Sequence, residues 1–255
     1  MTPDHKWRIA AVEYYNTLPY IRAIQSEPLL SSRILLTTAD PKGCAAALKS
    51  GAADIALLPI GSMCDFEELY LLGPYGIASD GPVYTVCVFS DNPEEEIYTI
   101  RESSASRTSN QLLRLINTMY WKEQKNIVPD DYIDADAQLI IGDDAFSAHK
   151  KYAYSFDLGS MWLNITGLPF AFATWVSTRP IDLQFQQDLM KAFERYTKPD
   201  YLTNLAGELK GILDDPERYY QRNIRFRLKP EHIRGMRLFI EKSGWKWNLV
   251  DLSTY

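Results

Sequence analysis

Apolar positions fall in short runs through the first half of the chain and in helical stripes after residue 180. Trp7–Val12, residues 33–37 and residues 53–58 have strand length and are bounded by polar or turn-forming residues. Asp40-Pro41 supplies an N-cap followed by proline at the first helical position, and Gly51 ends the helix that follows. A strand–helix–strand order of this kind predicts a right-handed parallel crossover. Residues 73–78 and a long apolar run at 81–90 predict two more strands, and residues 97–101 another. An amphipathic helix is predicted from Asn110 to about Trp121.

The stretch 139–178 organises the rest. Its two apolar runs, 139–141 and 170–176, read as buried strands; Gly142 closes the first, and Gly167-Leu168-Pro169 opens the second. Taking residues 81–90 as the outward crossing and 170–176 as the return divides the chain into two lobes. Residues 1–88 and 176–255 form lobe 1, and residues 89–175 form lobe 2. Beyond Pro180, helical periodicity covers 183–196, 201–213, 216–222 and 230–243, with Trp245, Trp247 and Tyr255 in a tail. The expected fold is a two-lobed α/β structure with a cleft at the hinge and a helical C-terminal region.

Composition narrows the function classes. Apolar residues make up 46% and charged residues 24%, the balance of an ordinary globular protein. A net charge of −6 argues against a nucleic-acid groove. An anionic ligand would need local positive groups. No run reaches the roughly 18 apolar residues of a membrane span, and the first residues lack a basic-then-apolar signal pattern. Cys44, Cys64 and Cys87 have no metal-ligand spacing and read as reduced thiols in a cytosolic protein. No cofactor or metal is expected, since phosphate-cradling, dinucleotide and zinc motifs are missing.

Three places carry candidate chemistry. Asn16 lies just beyond the first strand, where open α/β sheets put their ligands; its amide can donate to a developing oxyanion. A loop Asn satisfying nearby backbone is the ordinary alternative. Ser106-Arg107-Thr108-Ser109 precedes a helix, so amides, hydroxyls and one guanidinium offer an anion site, with plain helix capping as the alternative. Thr85 lies on the outward crossing, either facing the cleft or chosen for strand fit. Asp143-Asp144 reads as a helix start rather than a metal site. His5, His149 and His232 are scattered, and Trp162 and Trp175 fall on core-like patterns.

These motifs together resemble the chorismate dehydratases of the futalosine route to menaquinone. The resemblance rests on Tyr15-Asn16-Thr17-Leu18-Pro19, Gly51-Ala52-Ala53-Asp54-Ile55-Ala56, Asp80-Gly81-Pro82-Val83, Ser106-Arg107-Thr108-Ser109, Leu139-Ile140-Ile141-Gly142-Asp143, Asp157-Leu158-Gly159 with Trp162, and Thr166-Gly167-Leu168-Pro169-Phe170 through Trp175. It spans about residues 7–180 in order. It implies a fold like the type 2 periplasmic solute-binding proteins, used inside the cell as a monomer or homodimer, and loss of water from chorismate, a dicarboxylate. Asn16 and Thr85 take the family's catalytic positions, the second usually a Ser. Ser106, Arg107, Thr108, Ser109, Gly142 and Gly167 are the candidate substrate-binding residues. A sister family making a dihydroxynaphthoate relies on a His in the cleft, and no His here falls in a matching motif. A non-catalytic solute binder or effector sensor is the other alternative.

Overall fold

In the computed structural model, which describes residues 6–250, the first apolar run is β1 (Trp7–Val12). It leads through a 3-10 turn, Tyr15–Thr17, into α1 (Leu18–Ser26) and the short α2 (Pro28–Ser31). Next come β2 (Ile34–Ala39), α3 (Pro41–Lys49) and β3 (Ile55–Pro59). The Asp40 carboxylate accepts the Gly43 N–H at 2.6 Å, the N-cap that the sequence announces. β1 pairs with both β2 and β3 in parallel. His5 and Tyr255 lie outside the described residues.

A 3-10 turn, Ile60–Asp65, precedes β4 (Leu69–Ser79), twice the length that the sequence suggests. The sequence marks only residues 73–78, because Gly73-Pro74 reads as a break after residues 69–72. A Cβ on Gly76 would come within 2.3 Å of the Ala173 carbonyl, and one on Gly73 within 2.4 Å of Met190 Sδ. Glycine therefore admits close neighbours along a strand whose ladder shifts register twice.

Lobe 2 consists of β5 (Val86–Ser90), β6 (Thr99–Arg101), α4 (Arg107–Met119), β7 (Asn126–Val128), β8 (Ala137–Ile141), α5 (Asp144–Lys151), β9 (Tyr154–Asp157) and α6 (Leu158–Thr166). The five strands run in the order β7-β6-β8-β5-β9. The chain then returns through β10 (Phe170–Ser177), α7 (Leu183–Tyr196), α8 (Pro199–Glu208), α9 (Pro216–Arg218), a π-helical segment Tyr219–Asn223, β11 (Arg225–Arg227), α10 (Pro230–Lys242) and β12 (Leu249–Val250).

The first sheet has the order β11-β4-β10-β3-β1-β2, with β12 added on β4. All of β10 belongs to it, antiparallel to β3 and β4. The return passage therefore lies at residues 167–169, not at the 175/176 boundary read from the sequence. The outward passage is residues 80–85, because β5 belongs wholly to the second sheet and only residues 86–90 of the expected long strand are regular. Two short strands add to the helical C-terminal region expected from the sequence: β11 between the helices and β12 in the tail. Around Trp175, the buried rings of Tyr20 and Phe193 pack at 5.6 and 5.1 Å. The Tyr20 hydroxyl also bonds the carbonyls of Gly76 and Phe226, joining β4, β11 and α1. Each such ring removed from water contributes roughly 1.5–3 kcal/mol.

Candidate functional site

Between the two sheets lies a cavity with about 550 Å³ of space free of protein atoms, the open solvent at its mouth included. Its walls bring together Asn16, Thr85, Ser106, Thr108, Ser109 and Gly142 from four separate segments. Val12, Leu57, Ile77, Val83, Ile141 and Phe172 supply an apolar floor. Among the described residues lining it, none is Asp, Glu, His, Lys or Arg. The polar groups are hydroxyls and one amide, set in apolar walls that strengthen each hydrogen bond.

Each polar group is held from behind. Asn16 sits in the 3-10 turn after β1, and its Oδ1 accepts the Thr17 hydroxyl at 3.1 Å. Ser106 is the N-cap of α4: its Oγ accepts both the Ser109 N–H at 3.1 Å and the Ser109 hydroxyl at 3.0 Å. Two bonds accepted leave the Ser106 proton to be donated. Thr108 Oγ1 accepts the Gly61 N–H at 2.9 Å across the lobes. A Cβ on Gly61 would lie 2.8 Å from the Thr108 nitrogen, so glycine is what lets the lobes meet there.

Thr85 follows a strained residue. Tyr84 has φ +71°, the one positive value among the described non-glycine residues. A bulky side chain in that region costs on the order of 1–3 kcal/mol and persists only where its surroundings over-determine it. Here they do. The Asp157 carboxylate accepts the N–H groups of Val83 at 2.9 Å and Tyr84 at 2.7 Å while capping α6 through Ser160. His149 stacks on the Tyr84 ring at 3.9 Å, with Nε2 2.9 Å from the Tyr84 carbonyl. Burial raises the Asp157 carboxyl above its usual range, against the three amides that favour the anion.

The sequence also placed Arg107 and Gly167 at the site, and the structure puts both elsewhere. The Arg107 guanidinium reaches back across the lobes to Asp65 at 2.9 Å, half exposed. At the first position of α4 its side chain points away from the cavity, into an adjoining groove. That groove shares Pro41 and Pro59 with the cavity and also carries Lys42 and Lys49. Gly167 is the exposed left-handed C-cap of α6, with φ +68° and nothing within 4 Å of an added Cβ. Gly142 does face the cavity: at φ +66°, its Cα lies against the Tyr14 ring, which a Cβ would meet at 2.7 Å.

Sequence reasoning missed Asp143 and Tyr219. Asp143 does start a helix, but its carboxylate accepts the Tyr15 N–H at 3.1 Å instead of capping α5. Burial, with Asp144 adding, raises this carboxyl to about 6 against the pull of that N–H. Tyr219 is buried, with its hydroxyl 3.1 Å from Thr85 Oγ1 and the Asn16 side chain near enough to act on its acidity. Nothing in a helical stripe separates a core tyrosine from one aimed at a site.

A protein-family model described as menaquinone biosynthesis matches residues 7–244. The chain belongs to that menaquinone biosynthesis family. Among solved structures, protein AF1704 from Archaeoglobus fulgidus is similar at 15% identity and a TM-score of 0.69, over 95% of this chain and 99% of that one. The Candida albicans CA3427 gene product, described as having the generic periplasmic binding protein fold, matches at 12% identity and a TM-score of 0.64, over 94% and 90%. The Escherichia coli periplasmic aliphatic sulphonate binding protein SsuA matches at 17% identity and 0.60, over 96% and 94%. At these identities the likeness is one of fold: this menaquinone-biosynthesis chain has the periplasmic-binding-protein architecture. Among the described residues, no helix is long and apolar enough to cross a membrane.

Proposed function

We propose that the protein is a cytoplasmic chorismate dehydratase, converting chorismate to 3-[(1-carboxyvinyl)oxy]benzoate and water. The observation that carries this reading is the meeting of Asn16 and Thr85 on one cavity wall, in a chain of the menaquinone biosynthesis family. Chorismate has a cyclohexadiene ring and two carboxylates. Loss of the C3 proton and the C4 hydroxyl makes the ring aromatic, so the driving force lies in the product. The enzyme has to hold geometry and stabilise charge.

The cavity is suited to that division of labour. A ring rests on the apolar floor, and one carboxylate meets the hydroxyls of Ser106 and Thr108, with Ser109 bonded behind Ser106, at the positive end of α4. Lys42, Lys49 and Arg107 in the adjoining groove supply the local positive charge that a dianion needs in a chain of net charge −6. Asn16 and Thr85 polarise the reacting centre. The lining offers no carboxylate or imidazole base, which fits the substrate-assisted route implied by the family resemblance. There the enolpyruvyl carboxylate takes the C3 proton, and hydroxide leaving C4 departs as water once protonated. Lobe closure excludes bulk water.

Incubation of the pure protein with chorismate tests the proposal. Loss of the diene absorbance with appearance of a stoichiometric benzoate product is the expected result. Binding without conversion would make the protein a solute binder. Conversion of a later pathway precursor to a dihydroxynaphthoate, with chorismate untouched, would assign it to the sister enzymes.

A further inference from the structure

The π-helical segment Tyr219–Asn223 touches both segments that carry the candidate catalytic pair. The Tyr219 hydroxyl lies 3.1 Å from Thr85 Oγ1, with the Asn16 side chain near it. The Tyr220 hydroxyl donates to the Tyr15 carbonyl at 2.8 Å, and Asn223 Nδ2 donates to the Pro82 carbonyl at 3.0 Å. One five-residue turn from the C-terminal region therefore bonds the outward passage twice and the Asn16 turn through Tyr220. A π-helical turn is a costly local geometry that recurs at functional sites.

We propose that Tyr219 is a positioning residue for the dehydration, holding Thr85 and Asn16 in register through one shared phenol. This deepens the dehydratase reading and rests on it. The phenol has one proton to give and two lone pairs. For Thr85 to donate to the departing hydroxyl, its oxygen must take its own partner from elsewhere. Tyr219 gives its proton to Thr85 Oγ1 and accepts from the Asn16 amide nitrogen, whose Oδ1 is already engaged by Thr17. The Thr85 proton is then free to face the cavity. Burial keeps the phenol protonated well above neutral pH, so this polarity holds over the working range. The ring itself is immobilised: the Phe146 ring meets it edge-on at 5.0 Å and Tyr220 packs at 5.6 Å.

Tyr219→Phe keeps the ring and removes only the shared hydroxyl. With chorismate as substrate, the expected result is a kcat lower by roughly 10–100-fold with KM within about threefold, the pattern of a lost transition-state interaction. Thr85→Ala and the double variant complete a cycle: Tyr219→Phe should slow Thr85→Ala by clearly less than it slows the wild type, the remainder being the lost hold on Asn16. If Tyr219→Phe does not fold by circular dichroism and thermal melting, 3-fluorotyrosine at position 219 preserves shape and hydroxyl while changing its acidity, and kcat should still shift. Wild-type kcat in the folded variant, or penalties of the two single changes that multiply, would overturn the inference while leaving the dehydratase reading intact. A wild-type protein that leaves chorismate unchanged would bring down both.

Discussion

Asp143 accepts the backbone N–H of Tyr15 at 3.1 Å, across 128 residues of sequence and across the cleft. Tyr15 immediately precedes Asn16, and Asp143 immediately follows Gly142. One hydrogen bond thus joins the lobes beside the amide that faces the cavity. The Gly61–Thr108 bond and the Arg107–Asp65 pair join them on the other flank. The lobes therefore touch on both flanks of the cavity.

Asn16→Ala should lower turnover of chorismate by about 100-fold or more, the usual loss for a polarising amide in a dry site. Its side chain is only half-buried, and the one bond it accepts comes from a neighbouring hydroxyl, so the melting temperature should move little. Steady-state kinetics beside a thermal melt would check both. Full turnover in the variant would take Asn16 out of the mechanism.

Asp143→Asn should change how stability depends on pH. An acid whose native value is raised contributes stability that is present below its ordinary value of 3.8 and is lost as pH climbs through about 6. The wild type should therefore lose ground to the variant between about pH 4 and 7. Discounted for solvent at the rim, the change is on the order of 1 kcal/mol, or about 2–4 °C in melting temperature. Parallel melting curves across that range would show that Asp143 does not titrate there.

Gly142→Ala should destabilise the protein by roughly 1–3 kcal/mol, combining left-handed backbone strain with a Cβ driven into the Tyr14 ring. Urea denaturation measures the loss. Activity should fall as well, because Tyr14 and Gly142 both line the cavity. Gly167→Ala is the control: the same backbone strain in open space, about 1 kcal/mol, with turnover unchanged.

Arg107→Ala and Asp65→Ala should have small effects of opposite sign on substrate affinity. A half-exposed charge is worth no more than about 1 kcal/mol, so loss of Arg107 should raise the KM for chorismate by less than about tenfold, and loss of Asp65 should leave it unchanged or lower it. A rise of two orders of magnitude for Arg107→Ala alone would mean that the guanidinium leaves Asp65 to grip the substrate.

Much of the architecture was legible in the sequence because local rules agreed with the tertiary structure. β1, α7 and the start of α10 fall where periodicity and capping put them, and Asp40 caps α3 as its spacing implies. Of β4, residues 73–78 were legible and residues 69–72 were not, because Gly73-Pro74 reads as a break in the run. β11 was lost because three residues cannot show a period. The cavity-facing hydroxyls were readable as a helix start with more hydroxyls than capping requires. The direction of Arg107 was not readable, since its partner Asp65 lies 42 residues away on the other lobe. Tyr219 lies 134 residues from Thr85, and no local pattern joins them.

The first sheet draws strands from both ends of the chain, whereas the second uses only residues 86–157. During synthesis, lobe 2 can complete its sheet while the ribosome still holds β10, β11 and β12. Lobe 1 must wait, with the edges of β3 and β4 uncovered, for partners made last. Chains stalled before residue 170 should accordingly resist protease across lobe 2 and be cut across residues 7–79; even cutting across both regions would argue against such an order of assembly.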